Sequence, residues 1–169
     1  MDKKDIFVQS FSPVADKDAK ILILGTMPGV ESLIKNQYYG NNRNHFWKII
    51  YTIFDDTVDV SYAKRKKYIL KNHIALWDVL KSCERKGSLD SAIRNEVPND
   101  FNSFFSKYNK IRAVYFNGTE AYNKFKKHVG FKDEVNIKYV RLPSTSPANT
   151  KKEDMKFKEW RQIKKEIDR

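Results

Sequence analysis

Thiol and imidazole chemistry is scarce in this chain. Its 169 residues include one cysteine and three histidines. A single cysteine, Cys83, excludes an internal disulfide, and no Cys/His cluster has the spacing of a zinc site. Cys83 is expected to pack as a small apolar side chain. Long apolar runs are also absent, and the start, Met1-Asp2-Lys3-Lys4-Asp5, opens none. Neither a signal peptide nor a membrane-crossing helix is expected, and the cytoplasm is the expected location. Glycine and proline are few, six and five, and no linker, repeat or low-complexity tract is legible. One domain over 1–169 is expected, long enough to bury a substantial core. Acid is short relative to base: 21 Asp and Glu face 33 Lys and Arg, a formal net charge of +12. That excess favours a polyanionic partner, nucleic acid ahead of an anionic membrane.

What is present is the pattern of a folded protein, 40% hydrophobic and 14% aromatic, which argues against disorder. Apolar runs at 21–24, 73–76, 111–116 and 138–142 predict buried strands. Between them, apolar residues recur at helical spacing: Phe46, Trp47, Ile50, Ile53 and Phe54, then Phe101, Phe104, Phe105 and Tyr108. Pro98 suits the first turn of the second of these helices. Thr119 is placed to cap a helix carrying Ala121, Tyr122 and Phe125, and Phe157, Trp160, Ile163 and Ile167 form a C-terminal stripe. Strands alternating with helices imply parallel crossovers. The expected fold is α/β, a three-layer α/β/α sandwich with a central four-stranded parallel sheet. The loops that follow the strands, 25–44, 77–95, 117–119 and 143–149, should converge at one end of it.

Three of these loop regions bear on chemistry. Gly25-Thr26-Met27-Pro28-Gly29 is neither a Rossmann fingerprint nor a P-loop. Gly25 and Gly29 permit close backbone approach, and Pro28 stiffens the turn. Asn41, Asn42 and Asn44 place three amides within four residues ahead of a helix. One of them serves as an N-cap, and the surplus is suited to orienting a water or reading a base edge. Tyr38 and Tyr39 either pack or stack on a base, and His45 is expected as a polar residue at the helix start. Pro143 to Asn149 is a proline-framed, hydroxyl-rich loop followed by Lys151 and Lys152, a composition that suits phosphate contacts. No Ser/His/Asp triad is legible around Glu84, Arg85, Ser88, Asp90 and Ser91.

The Gly25–Gly29 block, the Tyr38-Tyr39-Gly40-Asn41-x-x-Asn44-x-Phe46-Trp47 block and the 142–149 block together resemble the uracil-DNA glycosylase superfamily. Within it the chain is most similar to the hypoxanthine-DNA (deoxyinosine) glycosylases, and more distantly to the mismatch-specific uracil glycosylases. Residues 74–80 and 87–91 share in the likeness. The resemblance implies a parallel four-stranded sheet between helices and an enzyme that flips a deaminated base from DNA. The enzyme hydrolyses the N-glycosidic bond and leaves an abasic site. It implies no metal and no organic cofactor, double-stranded DNA with a damaged or mismatched base as partner, and a monomer.

By the same resemblance, Met27 stands where relatives carry a polar residue that positions water. The deoxyinosine branch supplies that amide from the second block, which points to Asn44, with Asn41 in reserve. The implied base-binding residues are Gly25, Thr26, Met27, Tyr39, Trp77 and Asp78, with Tyr39 as the stacking ring. The implied DNA contacts are Ser144, Thr145, Ser146, Pro147, Ala148, Asn149 and Lys151. The serine loop lacks the histidine that several branches use to hold a uracil carbonyl. Alternative readings are a uracil or G/U mismatch enzyme, an inactive DNA-binding member of the fold, and a free-nucleoside hydrolase.

Overall fold

The structure, a computed structural model, describes residues 5–132 and 136–169. Four strands, β2 (Ile21–Gly25), β3 (Ile74–Asp78), β6 (Ala113–Asn117) and β7 (Lys138–Leu142), form a parallel sheet in the order β3-β2-β6-β7. Alternation along β2 divides the core. Leu22 and Leu24 face a layer that includes Phe101, Phe104 and Phe125. Ile21 and Ile23 face the opposite layer with Phe46, Ile50, Ile69, Trp160 and Ile163. β2 and β3 are buried along their whole length, as strands covered on both faces must be. Helices α2 (Phe46–Ile53), α3 (Tyr62–Lys71), α6 (Glu153–Trp160) and α7 (Gln162–Asp168) cover one face, and α4 (Phe101–Lys107) and α5 (Thr119–His128) the other. The expected three-layer sandwich is therefore present.

A second sheet was not legible in the sequence. Strands β1 (Ile6–Gln9), β4 (Leu80–Arg85) and β5 (Arg94–Pro98) form an antiparallel sheet in the order β1-β4-β5. β5 is largely exposed and β4 pairs with it through two register shifts, so neither strand shows clean alternation. Residues 77–95, expected as one loop, instead contain the end of β3, all of β4 and a 3-10 turn at Asp90–Ala92.

Several boundaries move for local reasons. His73, expected in a strand, lies at φ 64° just after helix α3, in the left-handed turn that carries the chain from the helix into β3. Pro98 ends β5 rather than opening α4, which Asp100 caps by accepting the Ser103 amide at 3.1 Å. Gly118, not Thr119, is the N-cap of α5. The C-terminal stripe spans two helices that meet at Arg161.

Candidate active site

The carboxyl ends of β2, β3 and β6 open into a cleft of about 720 Å³. Its floor is the Gly25 turn. The Gly25 carbonyl accepts the Val79 amide at 2.8 Å and the Thr26 carbonyl accepts that of Leu80 at 3.2 Å, so the turn is held by the chain leaving β3. A Cβ on Gly25 would lie 2.7 Å from Asp78 Oδ1 and 3.3 Å from the Tyr39 hydroxyl. The bare α-carbon therefore lets both groups sit in the floor. Met27 lines the cleft while its side chain packs in the Leu22–Leu24 core.

Asp78 is 4% exposed, and its Oδ2 has no hydrogen-bond partner among the described residues. Burial, reinforced by the negative charge of Asp90 and opposed by Arg85, pushes its carboxyl up to about 7. Arg85 is buried too. Its Nη2 donates to the Pro28 carbonyl, while Nε and Nη1 are unpartnered among the described residues. Burial raises the Asp90 carboxyl as well, against the lowering influence of Thr26 and Arg85. Ser88 Oγ accepts the Val30 amide at 2.8 Å. The 88–91 segment thus forms a wall of the cleft, locked to the Gly25–Gly29 turn.

The opposite wall is aromatic. Tyr39 lines the cleft, and its ring lies 3.9 Å, centroid to centroid, from that of the fully buried Phe46. A stacked backing of this kind presents a rigid face to a ligand. Tyr39 adopts φ 54°. Burial and the nearby Asp78 hold its hydroxyl well above the ordinary phenol range. Tyr38 also lines the cleft, but its hydroxyl is committed to the Ser12 carbonyl at 2.8 Å, and its own carbonyl accepts Trp47 Nε1 at 3.0 Å.

Asn41 and Asn44 both line the cleft. Asn41 Oδ1 accepts the Arg43 amide at 2.9 Å, and Asn44 Oδ1 accepts the Phe46 amide at 2.9 Å. Asn44 therefore satisfies the first amide of α2 from just ahead of the N-cap residue His45, and that bond fixes its rotamer. A carbonyl oxygen has two lone pairs, so each Oδ1 retains one for a water.

The serine loop closes the third side. Asn117 Nδ2 donates to Thr145 Oγ1 at 2.9 Å and its Oδ1 accepts the Thr145 amide at 2.9 Å. Ser144 Oγ accepts the Ser146 amide and Ser146 Oγ the Ala148 amide, leaving each hydroxyl proton free to donate. Lys156 is buried beneath the loop, and its Nζ donates to the Asn149 carbonyl at 3.1 Å and more weakly to that of Ser146 at 3.4 Å. Burial lowers the pKa of that ammonium.

The fold thus gathers Gly25, Thr26, Met27, Tyr39, Asn41, Asn44, Asp78, Ser144, Ser146, Pro147, Ala148 and Asn149 around one cleft. Three expected site residues are placed differently. Trp77 is directed into the core, where its ring stacks on Phe104 at 4.8 Å, because side chains alternate along β3 and only Asp78 meets the cleft. Thr145 lines the cleft, but its side chain is fully buried and committed to Asn117, so it anchors the loop instead of offering a hydroxyl. Lys151 is outside the lining and pairs with Glu159 at 2.8 Å.

The sequence reading missed Arg85, Ser88, Asp90, Asn117 and Lys156 as parts of the site. Asn117 carried a signal, since it directly follows an apolar strand. Lys156 carried none among so many lysines. Among the described residues no cluster of three or more His, Cys, Asp or Glu side chains is placed to hold a metal ion.

An open parallel sheet whose strand ends frame a cleft with a stacked aromatic wall, fixed amides and a hydroxyl loop defines an α/β protein built to take a flat polar ligand. The chain belongs to the uracil DNA glycosylase superfamily, whose family model matches residues 12–167. It is 37% identical over 158 residues to a hypoxanthine DNA glycosylase of Methanosarcina acetivorans, covering 92% of this chain and 96% of that protein. A hypoxanthine DNA glycosylase of Methanosarcina barkeri is 35% identical over 144 residues, covering 83% and 87%. A solution NMR structure of a candidate uracil DNA glycosylase from Methanosarcina acetivorans superposes with a TM-score of 0.81 at 34% identity. That match covers 97% of this chain and all of the other.

Proposed function

We propose that this protein is a monofunctional DNA N-glycosylase that releases hypoxanthine from double-stranded DNA and acts as a monomer. The observation that carries the reading is the Tyr39–Phe46 stack facing the Gly25 floor. A flat ring can lie on Tyr39 while its edge meets Asp78 and the turn. A cleft of about 720 Å³ is within the range of ligand sites and admits a single flipped purine. Two relatives that align over most of this chain bear the name hypoxanthine DNA glycosylase.

In this mechanism the base leaves its stack, at a cost of a few kcal/mol that is smaller at a damaged or mismatched pair. Tyr39 stacks on it and the backbone around Thr26 and Met27 contacts it. The glycosidic bond loosens through an oxocarbenium-like sugar, so the incoming water needs orientation more than a strong base. Asn44, held by its cap, supplies that orientation through its remaining lone pair. Ser144 and Ser146 donate to phosphates, and Pro147 and Ala148 approach the gap that the base vacates. The excess of basic side chains adds DNA affinity that falls steeply with salt.

Purified protein, without added metal, should free hypoxanthine from a duplex with one deoxyinosine and leave an abasic site. The same assay on uracil, xanthine and thymine mismatches ranks the bases. Retention of DNA with no base released would reduce the protein to a binding module, and release from free inosine at an equal rate would make it a nucleosidase.

A further inference from the structure

Asp78 has no role in the steps above beyond touching the base. It ends the buried strand β3, is 4% exposed, and has one carboxyl oxygen with no partner among the described residues. A buried polar atom left unpartnered costs stability unless something else meets it. Here the carboxyl faces the cleft, and its Oδ1 and the Tyr39 hydroxyl approach the same point above Gly25. It therefore stands at the rim of the ring on which a base would stack, where it meets an edge atom of that base.

The groups around it determine the form it takes. Asp90 acts on it with a negative charge, and Arg85, whose Nη2 is engaged by the Pro28 carbonyl, with a positive one. The phenols of Tyr38, Tyr39 and Tyr62 complete the surroundings and carry no charge near neutral pH. Burial favours the neutral acid, as does repulsion of the carboxylate by Asp90, and Arg85 only partly opposes them. Such a carboxyl has a proton to give near neutral pH.

We infer that Asp78 is a general acid that protonates N7 of the departing purine, a deepening of the hypoxanthine reading on which it rests. N7 is the most basic ring nitrogen of a hypoxanthine nucleoside and lies on the ring edge. As the C1′–N9 bond breaks, its electron pair passes into the base, and the Asp78 proton moves to N7. Hypoxanthine leaves neutral instead of as an anion. Water adds to C1′, its spare proton passes to solvent, and solvent reprotonates the Asp78 carboxylate, so the net reaction is hydrolysis. Pyrimidines have no N7, which makes the same carboxyl a source of preference for purines over uracil.

Single-turnover release from deoxyinosine duplex between pH 5 and 9 tests this. The unaltered protein should slow by about tenfold for each pH step above about 7, as the acid form is lost. Asp78→Asn should be slower by roughly a hundredfold or more at pH 6 and should lack that falling limb. On 7-deaza-2′-deoxyinosine, which has no N7, the two proteins should release base at equal, slow rates. A rate that rises through pH 7 would mean that the carboxylate is the working form and would overturn the inference. An unchanged profile in Asp78→Asn would do so too, as would an Asp78 dependence that persists on the 7-deaza substrate. If the variant fails to fold, judged by melting and by binding to abasic DNA, the unaltered protein's two pH profiles decide. They should fall for deoxyinosine and stay flat for the 7-deaza analogue, and matching profiles would overturn the inference. No hypoxanthine release by the unaltered protein at any pH would sink the functional reading itself, an outcome distinct from all of these.

Discussion

Asn117 holds Thr145 with both ends of its carboxamide, donating from Nδ2 to Oγ1 and accepting the backbone amide on Oδ1, each at 2.9 Å. Strand β6 and the serine loop are 28 residues apart in sequence, and this clamp joins them. The clamp sets the height of the loop above the cleft, which Asn117 and Tyr39 both line. One side chain therefore couples the end of strand β6 to the serine loop.

Asn117→Ala should loosen that coupling. The buried Thr145 amide and hydroxyl lose their partners, a loss of roughly 1–3 kcal/mol for an unsatisfied buried group. The melting temperature should fall and KM for duplex should rise, with kcat less affected. Melting curves and steady-state kinetics on deoxyinosine duplex check both, and an unchanged KM would deny the loop its role in DNA contact.

Asn44 combines capping with the proposed water contact, and two variants separate them. Asn44→Asp keeps an oxygen for the Phe46 amide and should melt near the unaltered protein. Asn44→Ala should lose about 1 kcal/mol of stability. If Asn44 only caps, release should be slowed little by either change. If it orients water, Asn44→Ala should lose turnover by far more than its stability loss predicts while still binding abasic DNA. Single-turnover rates measured well below the melting transition decide.

Gly25→Ala places a methyl group 2.7 Å from Asp78 Oδ1 and 3.3 Å from the Tyr39 hydroxyl. Overpacking of this kind costs typically about 1–3 kcal/mol. Because the displaced groups are those proposed to face the base, release should fall by at least about tenfold while affinity for abasic DNA stays near normal. Equal losses in both would place the damage in the fold.

Asp78 also predicts how stability varies with pH. Its carboxyl rises from 3.8 to about 7 on folding. Below about 4 it is protonated in both states and costs nothing. From there to about 7 the unfolded chain ionises and the folded one resists, so stability falls as pH rises. Above 7 the full penalty applies, on the order of 4 kcal/mol. Asp78→Asn should therefore raise the melting temperature at pH 8 and change it little at pH 4. Melts at the two pH values test this, and an equal shift at both would show that the carboxyl is not what costs stability. Loss of activity with a gain in stability is the pattern of a strained functional group.

The central sheet was legible because strands buried on both faces must be apolar throughout, and 21–24 and 113–116 read that way. The side sheet was not, since β4 and β5 carry Lys81, Glu84, Arg94 and Asn95 among their residues and pair through bulges. The asparagine surplus before α2 and the hydroxyl loop were visible as composition, and both reach the cleft. Trp77 shows the limit. It stands beside Asp78 in the same block, yet strand alternation sends one to the core and the other to the cleft.

By itself, the sequence determined the layer order of the fold, its likeness to base-excising enzymes, and the residues of the loop that meets the cleft. Those follow from local period, turn chemistry and motif order along the chain. Only the tertiary structure decided that Thr145 is an anchor, that Lys156 holds the loop from below, and that Asp78 is buried without a partner. Each is a relation between elements distant in sequence. The burial and pairing that set a charge, a hydrogen bond or a proton's affinity arise only once those elements have packed.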